Sequence, residues 1–266
     1  MKFTKMQGVG NDYIYVNCFM EKVENPSETA IKLSRRHFSV GADGLILIGP
    51  SDKADYRMRI FNADGSEGEM CGNAVRCVGK YVYEHGIFHG ETLTVETLGG
   101  VKNLELTIEN GKVSSVTVDM GEPQLTSELP EHIVVDKQDY EFVGISVGNP
   151  HAVYFFEDID SLDLEKIGPS FENHSRFPNR VNTEFVQVVD ENHIRMRVWE
   201  RGSGETLGCG TGATASVMAC ILMGYTGSTV EVALTGGNLT IRWDSTTRKA
   251  YMTGEAVEVF QGEIEL

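Results

Sequence analysis

Two stretches of this sequence nearly repeat each other: RMRIFNADGSEGEMCGNAV at residues 57–75 and RMRVWERGSGETLGCGTGA at residues 195–213. They lie 138 residues apart, and this offset aligns Cys71 with Cys209 without a gap. The same register continues outside them, in VGN at 9–11 and 147–149 and, shifted by one residue, in GG at 99–100 and 236–237. Separated matches in one register indicate duplication of a half of about 130 residues.

Both halves show the same predicted order of elements. Short apolar segments predict strands, a loop with glycine and cysteine leads into one helix, and further strands follow. The predicted strands are 14–18, 45–48, 56–61, 93–97, 104–109 and 113–120 in the first half, and 152–156, 183–188, 194–199, 230–234, 239–244 and 250–255 in the second. We therefore expect an α/β (α+β) fold with two pseudo-symmetric, β-barrel-like domains, each around a central helix.

The two predicted helices differ in polarity. The first runs from about Gly72 to His85, with apolar residues at helical spacing on one side. Its polar face is predicted to contain Arg76, Lys80 and Glu84. The second runs over about 210–223 and is apolar all round, so we expect it to be buried.

Composition and charge limit the classes of function. Apolar residues make up 41% and charged residues 23% of the 266 residues, which is typical of a folded protein and excludes general disorder. The net charge of −16 argues against nucleic acid and anionic membranes as partners.

Cysteine usage points to a reducing compartment. The five cysteines are an odd number, and the N-terminal stretch lacks the apolar segment of a signal peptide, so we expect reduced thiols in a cytoplasmic protein. The cysteine and histidine spacings match no zinc site, so we predict no bound metal. Cys18, Cys77 and Cys220 are expected to be small buried residues.

Cys71 and Cys209 each directly precede a predicted helix. The free N–H groups and positive dipole end of a helix N-terminus stabilise a thiolate and can also hold a carboxylate. Gly72 and Gly210 let a ligand approach the backbone closely. We expect the two cysteines to face each other across the cleft between the halves, one removing a proton from a carbon atom and the other returning one from the opposite side. This pattern predicts racemisation without pyridoxal phosphate or another cofactor.

Amide and charged side chains accompany this pair. Four asparagines lie at predicted strand ends or in loops: Asn11, Asn62, Asn149 and Asn182. Glu200-Arg201 follows RMRVW, where the first half has Asn62-Ala63 after RMRIF. The halves thus differ in charge, which suits a substrate with one reacting end and one recognised end.

Four long motifs resemble those of the diaminopimelate epimerases: FNADGSEGEMCGNAVRC (61–77), VGNPH (147–151), VNTEFVQ (181–187) and WERGSGETLGCGTGA (199–213). The resemblance extends from GVGNDY (8–13) to the C-terminal strand. It implies cofactor-independent interconversion of LL- and meso-diaminopimelate, in lysine and peptidoglycan precursor biosynthesis, by a homodimer. It also implies two domains, 1–117 with the C-terminal strand 256–266, and 118–255.

The resemblance implies roles for individual residues. Cys71 and Cys209 would be the acid/base pair, with His151 and Glu200 tuning the two thiols. The N–H groups around Gly72-Asn73 and Gly210-Thr211 would hold the reacting carboxylate, and Glu200 its ammonium group. The distal amino-acid end would be bound by the side chains of Asn62, Asn149, Asn182 and Arg201, with Arg201 on the distal carboxylate. Asn11 would also belong to the substrate pocket.

Two positions depart from the family pattern. Gly44 stands where some members carry Gln, so one side-chain contact is missing, and Phe260 stands where Tyr is frequent. Two alternatives stay open: a racemase of another amino acid, such as histidine, on the same scaffold, and a non-catalytic thiol or metal-binding module using Cys71 and Cys209.

Overall fold

The structure, a computed structural model, describes residues 1–266, and the chain divides into two compact units. The N-terminal unit comprises Met1–Val118 and Gly254–Leu266, and the C-terminal unit comprises Asp119–Thr253. Both units combine many β-strands with two α-helices. The mixed α/β class predicted from the sequence is confirmed.

The first part of the chain forms β1 (Lys2–Gly8), β2 (Asn11–Asn17), α1 (Pro26–Ser34), β3 (Gly44–Gly49), β4 (Tyr56–Asn62), β5 (Glu67–Gly68), α2 (Gly72–Glu84), β6 (Thr92–Thr97), β7 (Gly100–Glu109) and β8 (Lys112–Gly121). The second part forms β9 (Gln124–Leu125), β10 (Glu131–Val135), β11 (Gln138–Ser146), β12 (Pro150–Phe155), α3 (Leu164–Glu172), β13 (Asn182–Asp190), β14 (His193–Glu200), β15 (Gly204–Thr206), α4 (Gly210–Leu222), β16 (Thr229–Leu234), β17 (Gly237–Asp244) and β18 (Lys249–Gly254). The last strand, β19 (Val257–Glu263), pairs antiparallel with β1.

The two units repeat the same strand pairing. β2 and β3 pair in parallel, as do β12 and β13, and Tyr13 lies opposite Gly44 where His151 lies opposite Asn182. Each residue of the second pair lies 138 positions after its counterpart in the first. The parallel pair β4–β6 corresponds in the same way to the parallel pair β14–β16. Paired residues of β14 lie 138 positions after those of β4, and paired residues of β16 lie 137 positions after those of β6. The internal duplication predicted from the sequence is therefore present in the strand register.

In each repeat, the helix that follows the cysteine-containing loop packs against strands of its own unit. α4 contacts β11, β12, β13, β14, β16 and β17, and every residue from Gly212 to Cys220 is buried. This confirms the prediction of a buried apolar helix, of which only the last residue, Leu222, is exposed. α2 contacts β1, β2, β7 and β19 and keeps a more polar C-terminal turn.

Arg76 corrects the predicted polar face of α2, because its side chain is completely buried. Its Nη1 donates hydrogen bonds to Gly72 O (3.4 Å) and to Asn73 Oδ1 (3.1 Å). Its Nε donates to Glu255 O at 3.3 Å. The guanidinium thus lies under the first turn of the helix, where backbone and amide oxygens solvate it.

Each unit also has a nine-residue helix that the sequence did not predict, α1 and α3. α1 buries Ala30 and Leu33 against β3 and β4. In α3, Gly168 permits close packing, since a Cβ there would lie 2.2 Å from the Trp199 ring. Both segments are too short to show a clear helical pattern in the sequence. In α3 the internal Pro169 weakens the pattern further.

Of the cysteines outside the predicted pair, Cys77 and Cys220 are buried as predicted, whereas Cys18 is half-buried. Across the whole structure, no helix combines the length and the apolar character that a bilayer crossing requires.

The burial of Cys220 predicts a loss of stability in alkaline solution. Burial raises the pKa of its thiol to about 12, from 9.0 for an ordinary thiol. Below pH 9 both folded and unfolded chains hold this proton. As the pH rises above that value the unfolded chain releases it first, so the free energy of unfolding falls by up to about 1.4 kcal/mol per pH unit.

Cys220→Ala removes this titrating group. We expect the free energy of unfolding of the variant, measured in urea with a reductant present, to fall less steeply with pH than that of the wild type above pH 9. The difference in slope should approach one proton. Equal slopes in the two proteins would contradict the assignment.

Candidate active site

Cys71 and Cys209 occupy the same structural position, the N-cap of a 13-residue helix, α2 and α4 respectively. Both have extended backbone, with φ −137° and ψ 117° at Cys71 and φ −118° and ψ 114° at Cys209. Each sulfur accepts the backbone N–H three residues ahead, from Ala74 at 3.5 Å and from Gly212 at 3.4 Å. Both thiols therefore lie at the positive end of a helix dipole, as the sequence predicted.

In the N-terminal unit an asparagine amide lies against the Cys71 sulfur. Asn11 begins β2, and its Oδ1 lies 3.2 Å from Cys71 Sγ. Its Nδ2 donates to Asp43 Oδ2 at 2.8 Å, and the same carboxylate oxygen accepts the Asp12 N–H at 3.0 Å. Because Asp43 holds the amide nitrogen, the amide oxygen faces the sulfur, and Cys71 is the donor to Asn11.

The other predicted residues of this unit lie close to the same elements. Asn62 ends β4 and donates to Ser66 Oγ at 3.0 Å, and Ala63 N donates to Asp43 O at 2.9 Å. Asn73 is buried in the first turn of α2, where Arg76 holds its amide oxygen. The region thus brings together the first turn of α2, the start of β2 and the end of β4.

Gly44 has no room for a side chain. A Cβ at this position would lie 2.1 Å from Phe61 O and 3.0 Å from Tyr13 Cε1. The close approach of β3 to β4 therefore requires glycine, which gives a physical reason for the departure from the Gln of some family members.

In the C-terminal unit a continuous chain of polar contacts ends at Cys209. The Cys209 sulfur lies 3.4 Å from Thr211 Oγ1, and Thr211 Oγ1 accepts from Asn149 Nδ2 at 3.2 Å. Asn149 Oδ1 lies 3.0 Å from His151 Nε2. His151 Nδ1 lies 2.6 Å from Glu184 Oε1, and both of these side chains are fully buried.

Arg201 lies on the turn after β14 and is held against Asn182, the first residue of β13. Arg201 N donates to Asn182 Oδ1 at 3.0 Å, and Gly202 N donates to Glu172 Oε1 at 2.9 Å. The Arg201 side chain is exposed, with one hydrogen bond, from Nη1 to Asn179 O at 3.3 Å. The backbone is thus fixed on both sides while the guanidinium keeps donors for a ligand.

The charges around Cys209 favour its protonated form. Burial raises the pKa of this thiol well above its ordinary value, and the negative charges of Glu200 and Glu184 raise it further. Hydrogen bonds from the Thr211 hydroxyl and the Gly212 N–H act in the opposite direction. A thiol that keeps its proton next to two carboxylates is suited to deliver that proton to a carbanion.

Sequence reasoning did not identify three charged residues of these sites: Asp43, Arg76 and Glu184. Arg76 and Glu184 lie within motifs that carry the family resemblance, CGNAVRC and VNTEFVQ, and Asp43 directly precedes Gly44. Only Glu184 carried a signal, as a charged residue within a largely apolar strand segment, since such residues are buried only with partners. Asp43 lies in a loop, and Arg76 lies on the side of α2 predicted to be polar. No group of three or more His, Cys, Asp or Glu side chains is placed to hold a metal ion.

Gly212 lies where a side chain would disturb this site. A Cβ at this position would lie 2.7 Å from Glu184 Oε1 and 3.3 Å from Cys209 Cβ. We expect Gly212→Ala to lower turnover about tenfold or more and the free energy of unfolding by about 1–3 kcal/mol, as overpacking does. Gly227→Ala is the matched control, because its Cβ would make ordinary contacts at 3.7 Å or more. Equal activity of the two variants would contradict the close approach of Glu184 to α4.

Comparisons with known proteins agree along the whole chain. The sequence model of the family described as Diaminopimelate epimerase matches residues 3–126 and 143–259. A relative of that name from Desulfovibrio desulfuricans is 56% identical over 280 residues, covering 99% of this chain and 98% of the relative. A second, from Methanococcus maripaludis, is 54% identical and covers 100% of both chains.

Solved structures share the fold at low sequence identity. A phenazine biosynthesis protein of the PhzF family from Bacillus anthracis has a TM-score of 0.76 at 19% identity, covering 100% of this chain and 99% of that chain. A hydroxyproline epimerase from Agrobacterium vitis has a TM-score of 0.72 at 16% identity, covering 98% of this chain and 91% of that chain. The fold, the motifs around both cysteines and the full-length sequence matches lead to one conclusion: the chain belongs to the diaminopimelate epimerase family.

Proposed function

We propose that this chain is a cofactor-independent epimerase that interconverts LL- and meso-diaminopimelate. The observation that carries the proposal is the pair of cysteines at equivalent N-cap positions of α2 and α4. Full-length relatives named diaminopimelate epimerase, at 51–56% identity, support the choice of substrate.

In this mechanism Cys71 and Cys209 serve opposite faces of the substrate α-carbon. One sulfur, as thiolate, removes the α-proton, and the other, as thiol, delivers a proton to the opposite face, which inverts the stereocentre. The N–H groups of the first turns, at Gly72-Asn73 and Gly210-Thr211, bind the reacting carboxylate. They also stabilise the negative charge that spreads into it as the α-carbon becomes a carbanion.

The remaining predicted residues divide between the two ends of the substrate. Glu200 binds the ammonium group at the reacting carbon, and Arg201 binds the distal carboxylate with its planar pair of donors. The amides of Asn62, Asn149 and Asn182 supply donors and acceptors for the distal amino-acid group, and Asn11 is a further residue of the pocket. His151 and Glu200 tune the thiols, which fits the contribution of Glu200 to the raised pKa of Cys209.

The direct test uses purified, reduced protein incubated with LL-diaminopimelate, with formation of the meso isomer followed by chiral chromatography. We expect conversion in both directions without added metal or cofactor. Parallel incubations with L-histidine test the rival amino-acid racemase on the same scaffold. Racemisation of histidine but not of diaminopimelate would favour that rival, and a folded protein without turnover would contradict the proposal.

The biological setting follows from the same proposal. An enzyme with this activity supplies precursors of lysine and peptidoglycan. A cytoplasmic location and a homodimer remain predictions from the sequence. Phe260, at the position where the family often has Tyr, lies on β19 with 47% of its surface exposed.

A further inference from the structure

The polar chain that ends at Cys209 begins at Glu184, to which the family resemblance assigns no role. Glu184 lies in β13 and is fully buried. Its Oε1 lies 2.6 Å from His151 Nδ1, and its Oε2 has no hydrogen-bond partner. Burial of a carboxylate with one unsatisfied oxygen is costly, so an apolar residue would suit packing better.

At Asn149 the donor and acceptor roles within this polar chain are fixed. Its Nδ2 donates to Thr211 Oγ1, so its Oδ1 accepts the N–H of His151 Nε2. Because Thr211 Oγ1 already accepts this hydrogen bond, its own hydroxyl proton can point to the Cys209 sulfur, 3.4 Å away. The sulfur then receives two donors, the Thr211 O–H and the Gly212 N–H.

This arrangement depends on the contact between Glu184 and His151. Glu184 Oε1 holds the Nδ1 side of the ring at 2.6 Å, and Nε2 faces Asn149 Oδ1. Glu184 thus has two effects on Cys209: its charge raises the pKa of the thiol, and through the polar chain it fixes the orientation of the groups beside the sulfur. An apolar residue in place of Glu184 would remove the oxygen that holds Nδ1.

The N-terminal unit has no counterpart of the Glu184–His151 pair at the equivalent positions. Tyr13 and Ile46 lie 138 residues before His151 and Glu184. Asn11, the equivalent of Asn149, contacts the Cys71 sulfur directly and accepts from it. The two sulfurs thus have different neighbours beyond the shared N-cap hydrogen bond: an amide oxygen that accepts from Cys71, and a hydroxyl that can donate to Cys209.

We propose that Glu184 is a positioning residue for epimerisation: through His151 and Asn149 it turns the Thr211 hydroxyl toward the Cys209 sulfur, stabilising this sulfur as a thiolate each time it acts as the base. Glu184 itself does not touch the substrate. The inference rests on the proposed function, since it concerns the same thiol pair.

A double-mutant cycle tests this inference. Glu184→Leu keeps roughly the size of the side chain but removes the oxygen that holds His151 Nδ1, and Thr211→Val removes the hydroxyl at the far end of the polar chain. We expect each single variant to lower kcat about tenfold while KM changes much less, because binding groups are retained. If Glu184 acts through Thr211, the double variant has nearly the same kcat as the slower single variant. Thr211→Ser, which keeps the hydroxyl, should retain most of the activity.

Three results would overturn the inference: wild-type kcat in Glu184→Leu, multiplied losses in the double variant, or equal losses in Thr211→Ser and Thr211→Val. Thermal unfolding checks that the variants fold, and His151→Phe replaces Glu184→Leu in the cycle if the latter does not. Glu131→Gln, which removes an ion-paired carboxylate of the same unit, is the control with unchanged kcat. Lack of turnover by the wild type would instead refute the proposed function.

Discussion

Epimerisation is expected to fall by about 10²–10⁴-fold or more when either Cys71 or Cys209 is replaced by alanine. In the proposed mechanism each thiol serves one face of the α-carbon, so no proton can be delivered to the opposite face in the variant. The surviving thiol can still remove and return the α-proton of one stereoisomer. In deuterated water we therefore expect Cys71→Ala and Cys209→Ala to exchange the α-hydrogen of opposite isomers, with retention of configuration.

The same helices provide matched controls for these variants. Cys77 and Cys220 lie on α2 and α4 away from the N-cap, and both are buried. Cys77→Ala and Cys220→Ala should keep near wild-type turnover. A rate near wild type in Cys71→Ala or Cys209→Ala would show that the cysteine concerned is not an obligatory acid or base.

Arg201→Lys is expected to raise KM for diaminopimelate about 10- to 100-fold, because one charge-assisted hydrogen bond contributes about 1.5–3 kcal/mol. Lysine keeps the charge but loses the paired donors that match a carboxylate. The melting temperature should not change, since the Arg201 side chain is exposed and its backbone N–H contact with Asn182 remains.

Arg248→Lys is the matched control for this change. Arg248 is an exposed arginine of the same unit and forms an ion pair with Glu122. We expect its KM and kcat to equal those of the wild type. If Arg201→Lys behaves like Arg248→Lys in steady-state kinetics, Arg201 does not bind the distal carboxylate.

The two long helices could be predicted because their local signals agree with their packing. Cysteine and glycine mark the start of α2 and α4, and a run of apolar residues follows at helical spacing. α1 and α3 were missed because each has nine residues and buries only a few apolar side chains, so its pattern is too short to recognise. Repetition at a fixed offset, rather than propensity, predicted the shared strand register.

The candidate site was predictable only where its chemistry is visible in a single motif. The N-cap thiols follow from Cys-Gly before a helix, and the asparagines follow from strand ends. Arg76 was predicted to face solvent because helical spacing places it beside Lys80 and Glu84. Its burial depends on Glu255, which lies 179 residues away in the sequence. Likewise, the pairing of Glu184 with His151 depends on the parallel register of β12 and β13.

The central claim is that one thiol removes the α-proton and a second thiol delivers a new one. The fate of the α-hydrogen in deuterated water tests this claim most directly. Wild-type protein is incubated with unlabelled LL-diaminopimelate, and the deuterium content of both isomers is measured at low conversion. With two bases, the meso product carries solvent deuterium at the inverted carbon, while the remaining LL substrate keeps its own hydrogen. Product that retains the original hydrogen would mean that one group both removes and returns the proton, which contradicts the account.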